Sequence, residues 1–391
     1  MARAGILPRL TFWRGVFLVL MALGAYATYV RFFEGLGAST NLSDDFPWGL
    51  WIGFDVLCGV GLAAGGFTLA AAVHIFNIQK YKPIVRPAIL TAFLGYLLVI
   101  VALMFDLGRP YRIWHPLIMW NPHSVMFEVG WCVTLYTTVL ALEFSPIVLE
   151  KLRWNAALKA VHTALIPLVI LGVILSTLHQ SSLGSLFLIV PHKLHPLWYT
   201  PLLPVFFFFS ALMVGLAMTI FESWHSSKAF GRQLEVSLLR GLARLLAVLT
   251  TAFLVMRFLD LARRGALGLA FTPTTEAYFF WLEIAFLAIP GVLLFRTRIR
   301  ANPKALYLCA VLVVFGFITN RLNVAVTGLE SASGVQYVPK WTEVVVTLAI
   351  VALGFALFRA AAQYLPVFEE SEDREEADVH TAIETQMAQG D

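Results

Sequence analysis

Apolar residues run along this chain in ten long stretches separated by short polar connections. The stretches cover 12–33, 48–78, 84–107, 122–150, 157–178, 200–224, 236–262, 274–295, 303–327 and 340–366. A bilayer core about 30 Å thick is crossed by about 20 residues of α-helix, and each stretch reaches that length. The pattern predicts an all-α integral membrane protein with about ten transmembrane helices. The second and fourth stretches exceed the required length, which allows tilt or extension beyond the bilayer. The first follows Arg3, Arg9 and Arg14 and contains Ala25-Tyr26-Ala27, so a cleaved signal peptide competes with a retained span. Its apolar character continues to Phe33, a length that suits a span better.

Composition strengthens this reading. Hydrophobic residues make up 59% of the chain and charged residues 13%, about half the charged share of a soluble domain. The net charge of +4 is scattered through short loops rather than gathered in a stripe, which points away from nucleic acid and towards a role in topology. Of the 28 Lys and Arg residues, 19 fall at the N-terminus, the even-numbered loops and the C-terminus, and 9 in the odd-numbered loops. Both termini are therefore expected in the cytoplasm of a cell whose inner membrane holds the chain. Residues 1–366 form one polytopic membrane domain, and the acidic, polar segment 367–391 reads as a disordered cytoplasmic tail. Cys58, Cys132 and Cys309 lie inside apolar runs with no Cys-x-x-Cys spacing, so the chain is expected to hold no metal or iron–sulfur cluster of its own.

Against this apolar background the ionisable residues stand out. A charge at the bilayer centre costs about 2.5–3.5 kcal/mol even on the lenient insertion scale, so embedded acids tend to face protein or water and to mark pathways. Asp55 lies seven residues after Trp48, and Glu128 sits at a similar depth in the fourth span, both towards the periplasmic side. Ser124, Glu128, Cys132 and Tyr136 recur every four residues and form one stripe expected to face the bundle. The stripe could relay protons, or Glu128 could be a protonated, hydrogen-bonded structural acid. Arg257 and Asp260, three apart on one helix, are expected to neutralise each other. Gly61 and Gly65 mark a close helix-packing site. The histidines offer no convincing pair of haem ligands at matching depth: His74, His162 and His225 fall near cytoplasmic ends, and His179, His192 and His195 in or beside one loop.

The fifth span closes on Ser176-Thr177-Leu178-His179-Gln180-Ser181-Ser182-Leu183-Gly184-Ser185. These donors and acceptors could cap the helix. Spacing alone favours that role; the same groups can also hydrogen-bond a quinone carbonyl and exchange its protons, a reading that the resemblance below favours. The run from Phe46 to Asp55, Val85-Arg86-Pro87-Ala88, Ser124 to Glu128, His179 to Ser185 and His195-Pro196-Leu197-Trp198 together resemble the NrfD/polysulfide-reductase group of membrane subunits, in particular the HybB type of periplasmic nickel–iron hydrogenase-2. The resemblance runs from about Asp45 to Pro366.

That resemblance implies two four-helix bundles plus peripheral first and last helices, no haem, and a menaquinone or ubiquinone site near the periplasmic face. It also implies two partners: a periplasmic ferredoxin-like iron–sulfur subunit, and a catalytic subunit, hydrogenase or another respiratory oxidoreductase. On this reading the chain has no catalytic centre. His179, Gln180, Ser181, Trp48 and Asp55 serve the quinone, while Glu128, Tyr96, Glu222 and Asp55 carry protons and could couple the chemistry to proton translocation. Two other classes stay open: a secondary transporter, which also keeps acids near the midplane, and a passive scaffold without quinone chemistry.

Overall fold

The computed structural model describes residues 11–189 and 193–368. His192 and nearly all of the expected tail, 369–391, lie outside the described residues. Among those described, ten helices are long and apolar enough to cross a membrane: α1 (Phe12–Glu34), α2 (Trp51–Ile75), α3 (Gln79–Asp106), α4 (Val125–Leu152), α5 (Asn155–Leu188), α6 (Leu203–Phe230), α7 (Val236–Arg263), α8 (Thr275–Leu293), α9 (Pro303–Ser333) and α10 (Trp341–Tyr364). The start of α1 and the end of α10 share one face, here the terminal face, because the number of crossings is even.

Local chemistry sets several of the ends. Ser124 caps α4 by accepting from the Phe127 amide at 3.4 Å, and Asn302 caps α9 just ahead of Pro303, which has no amide hydrogen to satisfy. Gly231 closes α6 at φ +64, a left-handed conformation that suits a residue without a Cβ. Two helices run beyond their expected ends. α5 continues past residue 178 to Leu188, and α9 passes 327 to Ser333. His179 is thus a helix residue about six positions inside Ser185 and not part of a loop, and the hydroxyls around it do not cap the helix end.

Helices α2 to α5 pack into one four-helix bundle and α6 to α9 into a second, while α1 and α10 pair at the edge, with α10 lying on α3. The bundles meet where α2 and α5 cross α6. Glycine makes that crossing close: a Cβ on Gly215 would stand 2.8 Å from the backbone of Ala64 and Gly65, and one on Gly61 would strike the Phe317 ring. The packing role expected of Gly61 and Gly65 is what they perform. Helix α2 is irregular. It is wound as a π-helix over Trp51–Val56 and again over Ala71–Ile75, with a turn at Ala63–Ala64 between them.

Arg31 fastens α1 to the end of α3 by donating to the carbonyls of Phe105 and Leu107, the latter at 2.6 Å, which satisfies acceptors the helix end leaves open. On the terminal face Arg86 forms a bidentate pair with Glu150 (2.9 and 3.0 Å) and also reaches the Pro366 carbonyl. Val367 is fully buried there, and the Phe368 ring lies tilted against Phe230, 5.5 Å between centroids, under Arg232.

Candidate functional site

The interior of the first bundle is polar at one level. His179 on α5 is fully buried; its Nδ1 lies 3.0 Å from the Leu175 carbonyl, and its Nε2 meets the Tyr96 hydroxyl of α3. A carbonyl only accepts, so Nδ1 carries the hydrogen and Nε2 offers its lone pair to the Tyr96 O–H. Gln180 extends the cluster by donating to the Val60 carbonyl of α2 at 3.1 Å. The Tyr136 ring of α4 stands edge-on to Tyr96 at 4.7 Å and lies 5.6 Å from His179. Three buried atoms in this cluster, Tyr136 Oη, Ser176 Oγ and Gln180 Oε1, have no hydrogen-bond partner. Such atoms cost free energy unless water or a moving proton serves them.

The cluster has a route outward. Ser182, one helical turn beyond His179, donates to Glu128 Oε1 at 2.6 Å. The stripe of Ser124, Glu128, Cys132 and Tyr136 was expected to face the bundle along its whole length; instead it turns inward, with Glu128 exposed, Ser124 half-buried and Cys132 and Tyr136 buried. α4 begins at Val125, later than the expected 122, so Glu128 sits in its first turn, near the helix end.

Asp55 belongs to a different surface. It is buried and accepts from Thr347 of α10 at 2.7 Å. Trp48, seven residues earlier, packs edge-on against Phe187 at the end of α5, 5.8 Å between centroids. Trp48 lies in the connection ahead of α2, whereas Asp55 lies in the π-wound start of that helix and faces α10. The quinone set read from the sequence therefore divides: Trp48, His179 and Gln180 pack into the first bundle, Ser181 is half-buried, and Asp55 looks outward. The proton set divides likewise, with Tyr96 and Glu128 in the bundle cluster and its outlet. Glu222 of α6 accepts from Thr91 of α3 at 3.0 Å and lines the same slot as Asp55.

This slot has a volume of about 540 Å³ and lies between α2, α3, α6, α9 and α10. Its walls are chiefly apolar, and it opens between half-exposed α10 residues, Val351 at 38% and Phe355 at 58%. Sequence reasoning missed Thr347, although a hydroxyl on an otherwise apolar span is a readable signal.

Comparison with known proteins places this arrangement. The family described as polysulphide reductase, NrfD, matches residues 38–331. The chain belongs to the NrfD family. It is 38% identical over 370 residues to a Nitratidesulfovibrio vulgaris protein, covering 92% of this chain and 95% of that one. It is 35% identical over 343 residues to the Escherichia coli probable Ni/Fe-hydrogenase 2 b-type cytochrome subunit, covering 86% and 87%. A third relative, 31% identical over 395 residues and 93% of each chain, is the integral membrane subunit of the menaquinone reductase of N. vulgaris. The NrfD-family match takes in the His179 cluster, Glu128, Asp55 and Glu222, whereas α10, the outer wall of the slot, lies beyond it. Among the described residues no three His, Cys, Asp or Glu side chains gather into a metal-binding group.

The second bundle of this NrfD-family chain carries a charged core. Glu283 of α8 is fully buried and accepts from Trp198 (3.0 Å), Asn323 (2.9 Å) and Asn320 (2.9 Å). Arg321 lies over the Phe207 ring at 3.6 Å and donates to Asn320, Ser210 and the Phe207 carbonyl. The expected pairing of Arg257 with Asp260 does not occur. Asp260 is taken by Arg264 at 2.8 Å and by Thr200 at 2.8 Å, because the i,i+4 spacing and the loop reach it better. Arg257 is buried with Nε and one Nη unpaired, above the Phe206 ring. Outside the spans, burial lowers the pKa of His195 below its usual value, with Glu276 partly opposing. Burial, reinforced by a hydrogen bond to Glu343, pushes the Tyr337 hydroxyl well above its ordinary range.

Proposed function

We propose that this chain is the quinone-interacting membrane subunit of a respiratory redox complex. It passes electrons between an iron–sulfur subunit docked on the face opposite the termini, which is the periplasmic face, and the quinone pool. The catalytic partner is a hydrogenase or another respiratory oxidoreductase. The names of two relatives, a hydrogenase subunit and a menaquinone reductase subunit, support this class of complex. The observation that carries the reading is the buried His179–Tyr96 pair with three unpartnered polar atoms beside it and an outlet through Ser182 to exposed Glu128.

Reducing a quinone to a quinol takes two electrons, supplied here through the iron–sulfur partner, and two protons. A neutral imidazole that accepts from a tyrosine hydroxyl can take a proton at Nε2 and release it again. Asp55 meets the headgroup directly. His179, Gln180 and Ser181, with Trp48 packed beside their helix end, form the proton-exchanging core behind it. Glu128 supplies or receives protons at the periplasmic end, and Glu222 extends the route towards the cytoplasm, so that quinone turnover is coupled to proton movement.

The test uses the assembled complex. Glu128→Gln and His179→Ala should each cut quinone-linked turnover roughly a hundredfold, the scale of general acid–base contributions, while the catalytic partner still reduces or oxidises a soluble dye. Unchanged quinone turnover in both variants would refute the assignment.

A further inference from the structure

The slot that holds Asp55 and Glu222 is built mostly from apolar side chains, and its outer wall is a helix beyond the family match. Along α10 its lining runs from Ile350 to Arg359, nine residues or about 13.5 Å of helix. Its volume of about 540 Å³ is that of a small-molecule site. Leu62, Leu94, Leu98 and Met218 line the inner side, and Val351 and Phe355 form the rim. An apolar molecule could enter sideways from the bilayer without meeting water.

The far wall is thin. Gly59 of α2 and Gly95 of α3 line the slot, and their chain neighbours Val60 and Tyr96 belong to the first-bundle polar cluster, Val60 through the carbonyl that Gln180 bonds. The two helices close on each other through these glycines: a Cβ on Gly59 would stand 2.5 Å from Val99, and one on Gly95 2.9 Å from Ala63. One residue of each helix thus separates the slot from the His179–Tyr96 pair.

We propose that the slot binds the substrate quinone, its polyisoprenoid tail lying along α10 and its headgroup at the Asp55 end against the Gly59–Gly95 wall. This rests on the quinone reading above and adds the place of binding and the route of entry. The polar groups favour a neutral headgroup. Thr347 engages one oxygen of Asp55, so the other can meet a ligand, and a protonated carboxyl donates to a quinone carbonyl. Two carboxyl groups in one apolar slot disfavour a phosphate. The end near His225 and Arg359 is the part that would suit a phospholipid headgroup, and the experiment separates the two.

The complete complex is reconstituted in nanodiscs and turnover is measured with a long-tailed quinone and with a tail-less analogue. Val351→Trp narrows the rim and should raise the ratio of the two KM values about tenfold. In the unaltered complex, a quinone carrying a photoreactive diazirine in its long tail should photolabel α10 between Ile350 and Phe358, and excess long-tailed quinone should suppress the label. An unchanged KM ratio together with labelling elsewhere, in a complex that turns over both quinones, overturns the slot and leaves the quinone function standing. A phospholipid extracted from the purified complex and released by Arg359→Ala, with no quinone label on α10, overturns it in favour of a structural lipid. No turnover of either quinone by the unaltered complex overturns the slot and the function together.

Discussion

His179 is held by a division of labour between its two nitrogens. Nδ1 is fixed by its own helix and Nε2 by Tyr96, so the tautomer follows from the partners. Tyr96→Phe removes the donor and leaves Nε2 facing an apolar ring. The variant should lose about 1–3 kcal/mol of stability, read as a lower melting temperature, and should slow quinone turnover more than its folding defect explains. In the second bundle, Glu283→Ala strands three donors, those of Trp198, Asn320 and Asn323. Thermal unfolding in detergent should show a loss of about 3–5 kcal/mol, the scale seen when one member of a buried charged network is removed. His195 gives a pH signature. Its folded pKa lies below the usual 6.5, so the unfolded chain takes up a proton first as pH falls. Stability from this group is complete above pH 6.5 and declines as pH falls towards the folded pKa, where protonation also removes the acceptor that Nδ1 offers the Leu197 amide. The melting temperature should fall less between pH 7 and pH 5 in His195→Asn than in the unaltered protein.

Among the elements, α2 decides most. Its π-wound start carries Asp55 against Thr347, and its small residues let α6 and α9 approach. Nothing in the residue types between Trp51 and Val56 announces a π-turn, so the direction in which Asp55 points was not legible in the sequence. The fifth span was underread for a different reason. Polar residues after Leu178 looked like an ending, yet they face the interior of a bundle, where hydrogen bonds across helices satisfy them. Gly215→Val tests the helix crossing. Its Cβ would meet the backbone of Ala64 and Gly65 at 2.8 Å, and backbone cannot swing aside as a side chain can. Overpacking of this kind costs about 1–3 kcal/mol where neighbours yield, so a larger loss, seen as poor recovery of folded protein from the membrane, is expected here.

The whole molecule is two bundles flanked by one helix pair, with loops of contrasting size on its two faces. The longer connections, including the short helices at Pro110–Arg112 and His115–Ile118, lie on the face opposite the termini, where Trp114 and Trp120 are exposed. The Lys and Arg bias leads us to expect the terminal face in the cytoplasm. A fluorescent protein fused after residue 391 should therefore fold and fluoresce, and alkaline phosphatase at the same position should stay inactive. The reverse pattern would invert the orientation and move the proposed iron–sulfur partner to the other side.

The sequence by itself determined the number of helices and their membrane setting, because desolvation of about 20 residues at a time is a one-dimensional property that needs no knowledge of neighbours, while the family came from the resemblance of its residue motifs. It also singled out His179, Tyr96, Glu128, Asp55 and Glu222, since a polar group in an apolar run is conspicuous wherever it points. Which of these groups meet was left to the tertiary structure. Partnership depends on helix rotation, and a single π-turn or a helix ten residues longer moves a side chain to another face. So Tyr96 found His179, Asp55 found Thr347, Asp260 found Arg264 in place of Arg257, and the slot between α3 and α10 came into being only when helices far apart in the chain were packed together.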